Sequence, residues 1–216
     1  MTFSIDPVTK DQVVRRKPKK RRKLNSPDLQ THLNLFTDIV RLSSHMTEAH
    51  RLGLHHHAQH EKLRTYNDFR SLNKDCFTPD GHIDYPHIVV SRGTVAKVYV
   101  SHAQVDDNGI LRIDFDPYLG VTKAAPDDTL YLYVYSSALE EGFFLPPVLR
   151  RDGTLSAQLP AEWLHPEPGA DAINLHLYAF LRDRKGLTSD TIYIPLQYRR
   201  LSFSQNSDSR TGLASV

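Results

Sequence analysis

The chain has 216 residues, 27 Lys and Arg against 25 Asp and Glu, and one cysteine. That length buries a sizeable core without staples, and one cysteine excludes an intramolecular disulfide or a Cys-rich zinc site. No apolar run approaches the ~18 residues of a membrane helix, and residues 1–12 lack a signal-peptide core, so a cytoplasmic protein with no membrane span is expected.

The net charge of +2 hides an asymmetry. Arg15, Arg16, Lys17, Lys19, Lys20, Arg21, Arg22 and Lys23 put eight of the 27 basic residues into nine positions. The remainder holds 19 basic against 25 acidic residues, a net of −6. Like charges at that density repel and bury nothing, so residues 1–24 are expected to form a disordered basic arm. The arm is a candidate polyanion contact, nucleic acid foremost. The alternative is a solvated tail, since no aromatic residue interleaves the run to stack on bases.

Residues 25–78 predict a helical segment that packs on the rest. Ser26-Pro27-Asp28 offers a hydroxyl N-cap, a proline at the first helical position and a carboxylate near the positive helix end. Leu29, Leu33, Phe36, Ile39 and Val40 then share one face, and the helix is expected to run to about Leu52, with Gly53 as cap or bend. Leu63, Tyr66, Phe69 and Leu72 mark a second helix. Between them lies a histidine cluster, in which His56 and His60 are four apart and could share a metal ion. The zinc-protease pattern His-Glu-x-x-His is not met, because His56-His57-Ala58-Gln59-His60 lacks the glutamate. An exposed polar helix turn is the favoured reading of the cluster, so no metal is assigned.

Ile83-Asp84-Tyr85-Pro86-His87 leads through a predicted short strand, Ile88-Val89-Val90, to Ser91-Arg92-Gly93. From there to about residue 200 the apolar residues alternate at strand spacing, with turns such as Asp106-Asp107-Asn108-Gly109 between runs. Seven or eight strands at roughly ten-residue spacing predict an antiparallel β-sandwich, immunoglobulin-like or fibronectin-like, over residues 79–200. The fold class is therefore α+β: N-terminal amphipathic helices, then the sandwich. The Ser-rich residues 201–216 read as a flexible tail.

Two strands carry aromatics opposite their aliphatic face. Tyr131, Tyr133 and Tyr135 alternate with Leu130, Leu132 and Val134, and Tyr178 and Phe180 alternate with Leu177, Ala179 and Leu181. Tyr193 is a further candidate. Such a patch is either covered or used. The helices could lie on it, which is favoured because they need a surface. Alternatively it is a platform for sugar rings or a partner strand.

The segments Ile83-Asp84-Tyr85 through Ser91-Arg92-Gly93, Ala125-Pro126-Asp127-Asp128, Leu130 to Tyr135, Leu177 to Leu181 and Ser189 to Tyr193 together resemble a family of uncharacterised Bacteroidota proteins of about two hundred residues. The resemblance spans roughly residues 13–195. It implies a basic N-terminal stretch, a helical segment and a C-terminal sandwich. The family carries no established activity, so no site residues transfer. Met1 to Gln12 lacks the Gly- and Val-rich opening and tryptophan of that family.

No catalytic constellation stands out. Cys76 has no flanking motif, Ser91 sits in no nucleophile elbow, and no glycine-rich phosphate loop occurs. Asp114 and Asp116 share a strand face and read as a solvated edge. The expectation is a non-catalytic structural or protein-interaction module, without cofactor, binding a partner protein or itself. A nucleic-acid-associated protein and a carbohydrate-binding module are the alternatives.

Overall fold

The computed structural model describes residues 2–5, 12–15, 26–106, 108–164 and 175–196. Its helices are α1 (Pro27–His45), α2 (Thr47–Gly53), α3 (His55–His60) and α4 (Thr65–Asn73). Its strands are β1 (Thr2–Ile5), β2 (Gln12–Arg15), β3 (Tyr99–Val105), β4 (Ile110–Asp116), β5 (Thr129–Ser136), β6 (Glu141–Phe144), β7 (Val148–Leu149), β8 (Thr154–Gln158), β9 (Leu175–Arg182) and β10 (Ile192–Pro195).

The protein is α+β, with two antiparallel sheets facing each other. The smaller runs β3-β4-β8 and the larger β10-β9-β5-β6. β7 pairs the same edge of β5 as β6, on the far side of Leu145-Pro146-Pro147. Two prolines cannot donate to the ladder, so one edge strand is cut into two short pieces. β1 and β2 pair separately from both sheets. The expectation of disorder over 1–24 is thus corrected at those eight positions. Phe3, Ile5, Val13 and Val14 are strand formers that the neighbouring charge run obscured. Arg16 to Lys23, residues 165–174 and the tail 201–216 lie outside the described residues.

Two apolar layers follow from the period of two along β5 and β9. Leu130, Leu132, Val134, Leu177, Ala179 and Leu181 face Leu111, Ile113, Phe115 and Leu155 of the smaller sheet, closing the sandwich core. Their neighbours Tyr133, Tyr135, Tyr178 and Phe180 turn the other way and meet Leu42, Met46, Leu54 and Phe69. The larger sheet is buried on both faces.

The predicted single helix to Leu52 is instead two, bent at Met46 (φ −100°, ψ 23°). A straight helix over 27–53 would measure about 40 Å, against roughly 27 Å for an eight-residue strand beneath it. The bend keeps Ala49, His50 and Gly53 buried over the sheet. The predicted strand at Ile88-Val89-Val90 is also corrected. This stretch joins no ladder, because side chains satisfy its backbone. Buried Asn73 accepts from the Val89 N–H at 2.6 Å and donates to its carbonyl at 2.9 Å. Thr191 Oγ1 accepts from the Val90 and Ser91 N–H groups.

Beyond it, the Ser91 hydroxyl donates to the Ser189 carbonyl at 2.6 Å, and Thr188 Oγ1 donates to the Gly53 and Arg92 carbonyls. The chains approach so closely that a Cβ on Gly93 would sit 1.9 Å from the Thr188 oxygen, and one on Gly53 2.3 Å from the Val90 oxygen. Glycine is required at both places by contact. This knot ties α2, the linker and the β9–β10 loop together.

A second polar anchor closes the end of the sandwich. Arg150 is fully buried, and its Nε donates to Asp128 Oδ2 at 3.1 Å. Its remaining donors reach the carbonyls of Ala96, Lys97 and Pro117. Asp128 also takes the Ala125 N–H at 3.0 Å.

Candidate functional site

The aromatic face is where residues predicted from the sequence converge. Tyr133 stands opposite Tyr178 across the β5–β9 ladder, and Tyr131 opposite Phe180. The Tyr131 and Phe180 rings stack with centroids 5.7 Å apart, and Tyr193 joins from β10 at 5.6 Å from Tyr178. Tyr133, Tyr178 and Phe180 are 0 % exposed, because the helices lie on them. Tyr131 and Tyr193 stay half-buried, whereas the Tyr133, Tyr178 and Phe180 rings have no free surface for a sugar to stack on. Trp163, at 5 % exposure, offers none either.

The hydroxyls explain why these residues are tyrosine. Tyr133 OH donates to the His45 carbonyl at the end of α1 at 3.0 Å, and Tyr178 OH donates to the Tyr85 carbonyl at 2.9 Å. Each ring buries its body and spends its polar tip on a backbone carbonyl. Burial raises both phenols well above their ordinary pKa. They stay protonated as donors and are not proton shuttles at neutral pH.

His176 closes this face. Its ring stacks on Tyr85 at 4.0 Å and 19°, and its Nδ1 lies 3.2 Å from Tyr193 OH. Burial lowers its pKa from 6.5 to about 4. Between those values the unfolded chain takes up a proton that the folded chain refuses. The stability it contributes is complete above about pH 6.5 and is lost as the pH falls toward 4, at up to about 1.4 kcal/mol per pH unit. His176→Phe keeps a ring on Tyr85 and should flatten that acid limb in urea midpoints taken across the same window. An unchanged slope would show that His176 does not carry it.

A further concavity lies elsewhere, between the edges of the two sheets. A groove of about 650 Å³ runs between β3 and β10. Its floor is the sandwich core seen edge-on, at Val98 and Ile194. The outer backbone edges of β3 and β10 have no ladder partner among the described residues. At the rim, Tyr99 is 63 % and Tyr118 40 % exposed, their rings edge to face at 5.1 Å. Tyr118 is held at φ +51°, a conformation costly for a side-chain-bearing residue, by the Asp116 carboxylate on its N–H at 2.8 Å. A register shift between Val100 and His102 adds a bulge to β3 beside the groove.

Sequence reading missed this groove. Tyr99-Val100-Ser101-His102-Ala103 alternates weakly, and nothing local says that β3 and β10 end up side by side.

The other candidates separate. Arg15 ends β2, while Arg16, Lys17, Lys19, Lys20, Arg21, Arg22 and Lys23 lie outside the described residues. His56 and His60 both fall on α3, and between them the His57 Nδ1 lies 2.8 Å from the buried Asp68. His60 pairs with Glu61. Among the described residues no three ligating side chains form a metal cluster. Cys76 is buried, with its thiol toward the His87 carbonyl, and burial raises its pKa, so it has the character of a packing residue. No helix among the described residues is long and apolar enough to cross a membrane.

Compared with known proteins, the chain matches no protein-family model and no curated protein sequence.

Proposed function

We propose that this chain is a non-catalytic protein-interaction module, which accepts an extended segment of a partner protein in the β3/β10 groove. The observation that carries the reading is the pair of unladdered strand edges flanking an apolar floor. An added strand gains main-chain hydrogen bonds from an edge and places alternate side chains in pockets. Tyr99 and Tyr118 supply large, stiff contact area at the rim.

The sandwich itself we read as fibronectin-like. The first, second and fifth strands of the sandwich share one sheet, and the third, fourth, sixth and seventh share the other, counting β6 and β7 as one interrupted strand. That order supports the type, in which the edge strands of the two sheets lie side by side. Fold alone assigns no partner.

The test is a displayed library of random peptides panned on the full chain. Peptides of alternating apolar pattern should be enriched, should shift the amides of Tyr99–Val105 and Ile192–Pro195, and should be lost in Tyr99→Arg. Light scattering across concentration covers the case in which a second copy supplies the strand: a dimer broken by Tyr99→Arg assigns the groove to self-assembly. Peptides that map elsewhere, together with a monomer at every concentration, would overturn the reading.

A further inference from the structure

The helical layer holds a second cavity, of about 410 Å³, where the end of α1, α2 and the start of α4 meet. Three arginines line it: Arg51 on α2, Arg64 just before α4, and Arg70 on α4. No carboxylate lines it. Among the described residues none of the three forms an ion pair. Outside the basic arm the chain carries a net −6, so acidic partners are plentiful. Three like charges converging without one repel each other unless an anion joins them.

The arginine at the centre is held in place. The Arg70 guanidinium lies 4.8 Å from the Tyr66 ring centroid and 5.4 Å from that of Phe36. Rings over its faces leave the N–H edges to an acceptor in the guanidinium plane. Its Nε is buried and has no partner, which is costly until an acceptor arrives. At the start of α4 no side chain caps the first N–H groups. Those groups attract anions through the same partial charge as any helix N-terminus.

His50 lines the cavity at 2 % exposure. Its Nε2 is 3.1 Å from the Ser43 carbonyl, which can only accept, so Nε2 carries the proton. Its Nδ1 is then a bare acceptor, buried and unpartnered. Burial, with the Arg51 and Arg70 charges beside it, pushes the His50 pKa down and keeps the ring neutral. The cavity thus combines cationic donors with a neutral acceptor. That combination suits an oxyanion that still carries a proton.

We propose that this cavity binds a phosphate-class oxyanion, either free or as the phosphoryl group of a small metabolite. Arg51, Arg64 and Arg70 hold its oxygens, the α4 N-terminus adds backbone donors, and His50 Nδ1 accepts its remaining proton.

The test is a nitrogen–proton NMR titration of the full chain with inorganic phosphate, referenced to chloride at equal ionic strength. Phosphate should shift the Thr65 and Tyr66 amides and the Arg70 Nε–H, and should raise the melting temperature. The variant Arg51→Gln/Arg64→Gln changes two exposed side chains. It should keep its phosphate-free melting temperature yet bind at least about tenfold more weakly, since charge-assisted bonds are lost. Glycerol 3-phosphate in a parallel arm identifies the source: tighter binding than phosphate assigns a carried phosphoryl group, and weaker binding assigns the free ion. Shifts that chloride reproduces, or an unweakened response in the folded variant, would overturn the proposal.

Discussion

Arg150→Met should lower the unfolding free energy by about 3–5 kcal/mol, the cost of breaking a buried ion pair by removing one partner. The guanidinium is 0 % exposed and Asp128 2 %. Methionine matches the stem but not the fork. Asp128 would stay buried with only the Ala125 N–H on Oδ2, and the carbonyls of Ala96 and Pro117 would lose their donor. The double variant Arg150→Met/Asp128→Leu removes the stranded charge and should recover part of the loss, since an apolar replacement of both partners is far less costly. Recovery stays incomplete because the carbonyls of Ala96, Lys97 and Pro117 remain without the guanidinium donors. Urea unfolding of wild type and both variants reads this out. A single variant within ~1 kcal/mol of wild type, the range of an exposed pair, would show that the anchor does not hold this end of the sandwich.

Phe69→Ala should be about as damaging, at roughly 3–5 kcal/mol for a fully buried aromatic. Phe69 is 0 % exposed, packs in the same cluster as Tyr133, Tyr178 and Phe180, and lies 5.3 Å from the His50 ring. The more telling outcome is cooperativity. If the helices let go, the larger sheet exposes a contiguous aromatic face, and water is a poor neighbour for it. The knot at Gly53, Ser91 and Thr188 binds the same two layers by hydrogen bonds. The variant should therefore unfold in one transition, with near- and far-ultraviolet dichroism superimposed and the midpoint lowered. A helix-only transition, with amide exchange in β4, β5 and β9 unaffected, would show instead that the layers are separate units.

Much of the layering was legible along the chain because strands and helices have different periods. Leu130, Leu132 and Val134 against Tyr131, Tyr133 and Tyr135 announced a strand with two apolar faces. The Ser26-Pro27 start and the Leu63, Tyr66, Phe69 spacing announced helices that needed a surface. These are local properties, settled by backbone chemistry within a few residues.

The pairings were not legible, because each depends on residues far apart in the chain. Asn73 replaces a strand partner for Val89 across sixteen positions, and Arg150 meets Asp128 across twenty-two. The β3/β10 groove exists only because the two sheets stack with those edges together. The arginine cleft exists only because Met46 bends the helix and brings Arg51 toward Arg64 and Arg70. By itself the sequence determined most of the sandwich strands, their two faces and the charge asymmetry of this protein. Tertiary structure alone decided what covers the aromatic face and where the cavities lie, since burial and convergence are properties of packed layers and not of a pattern along one chain.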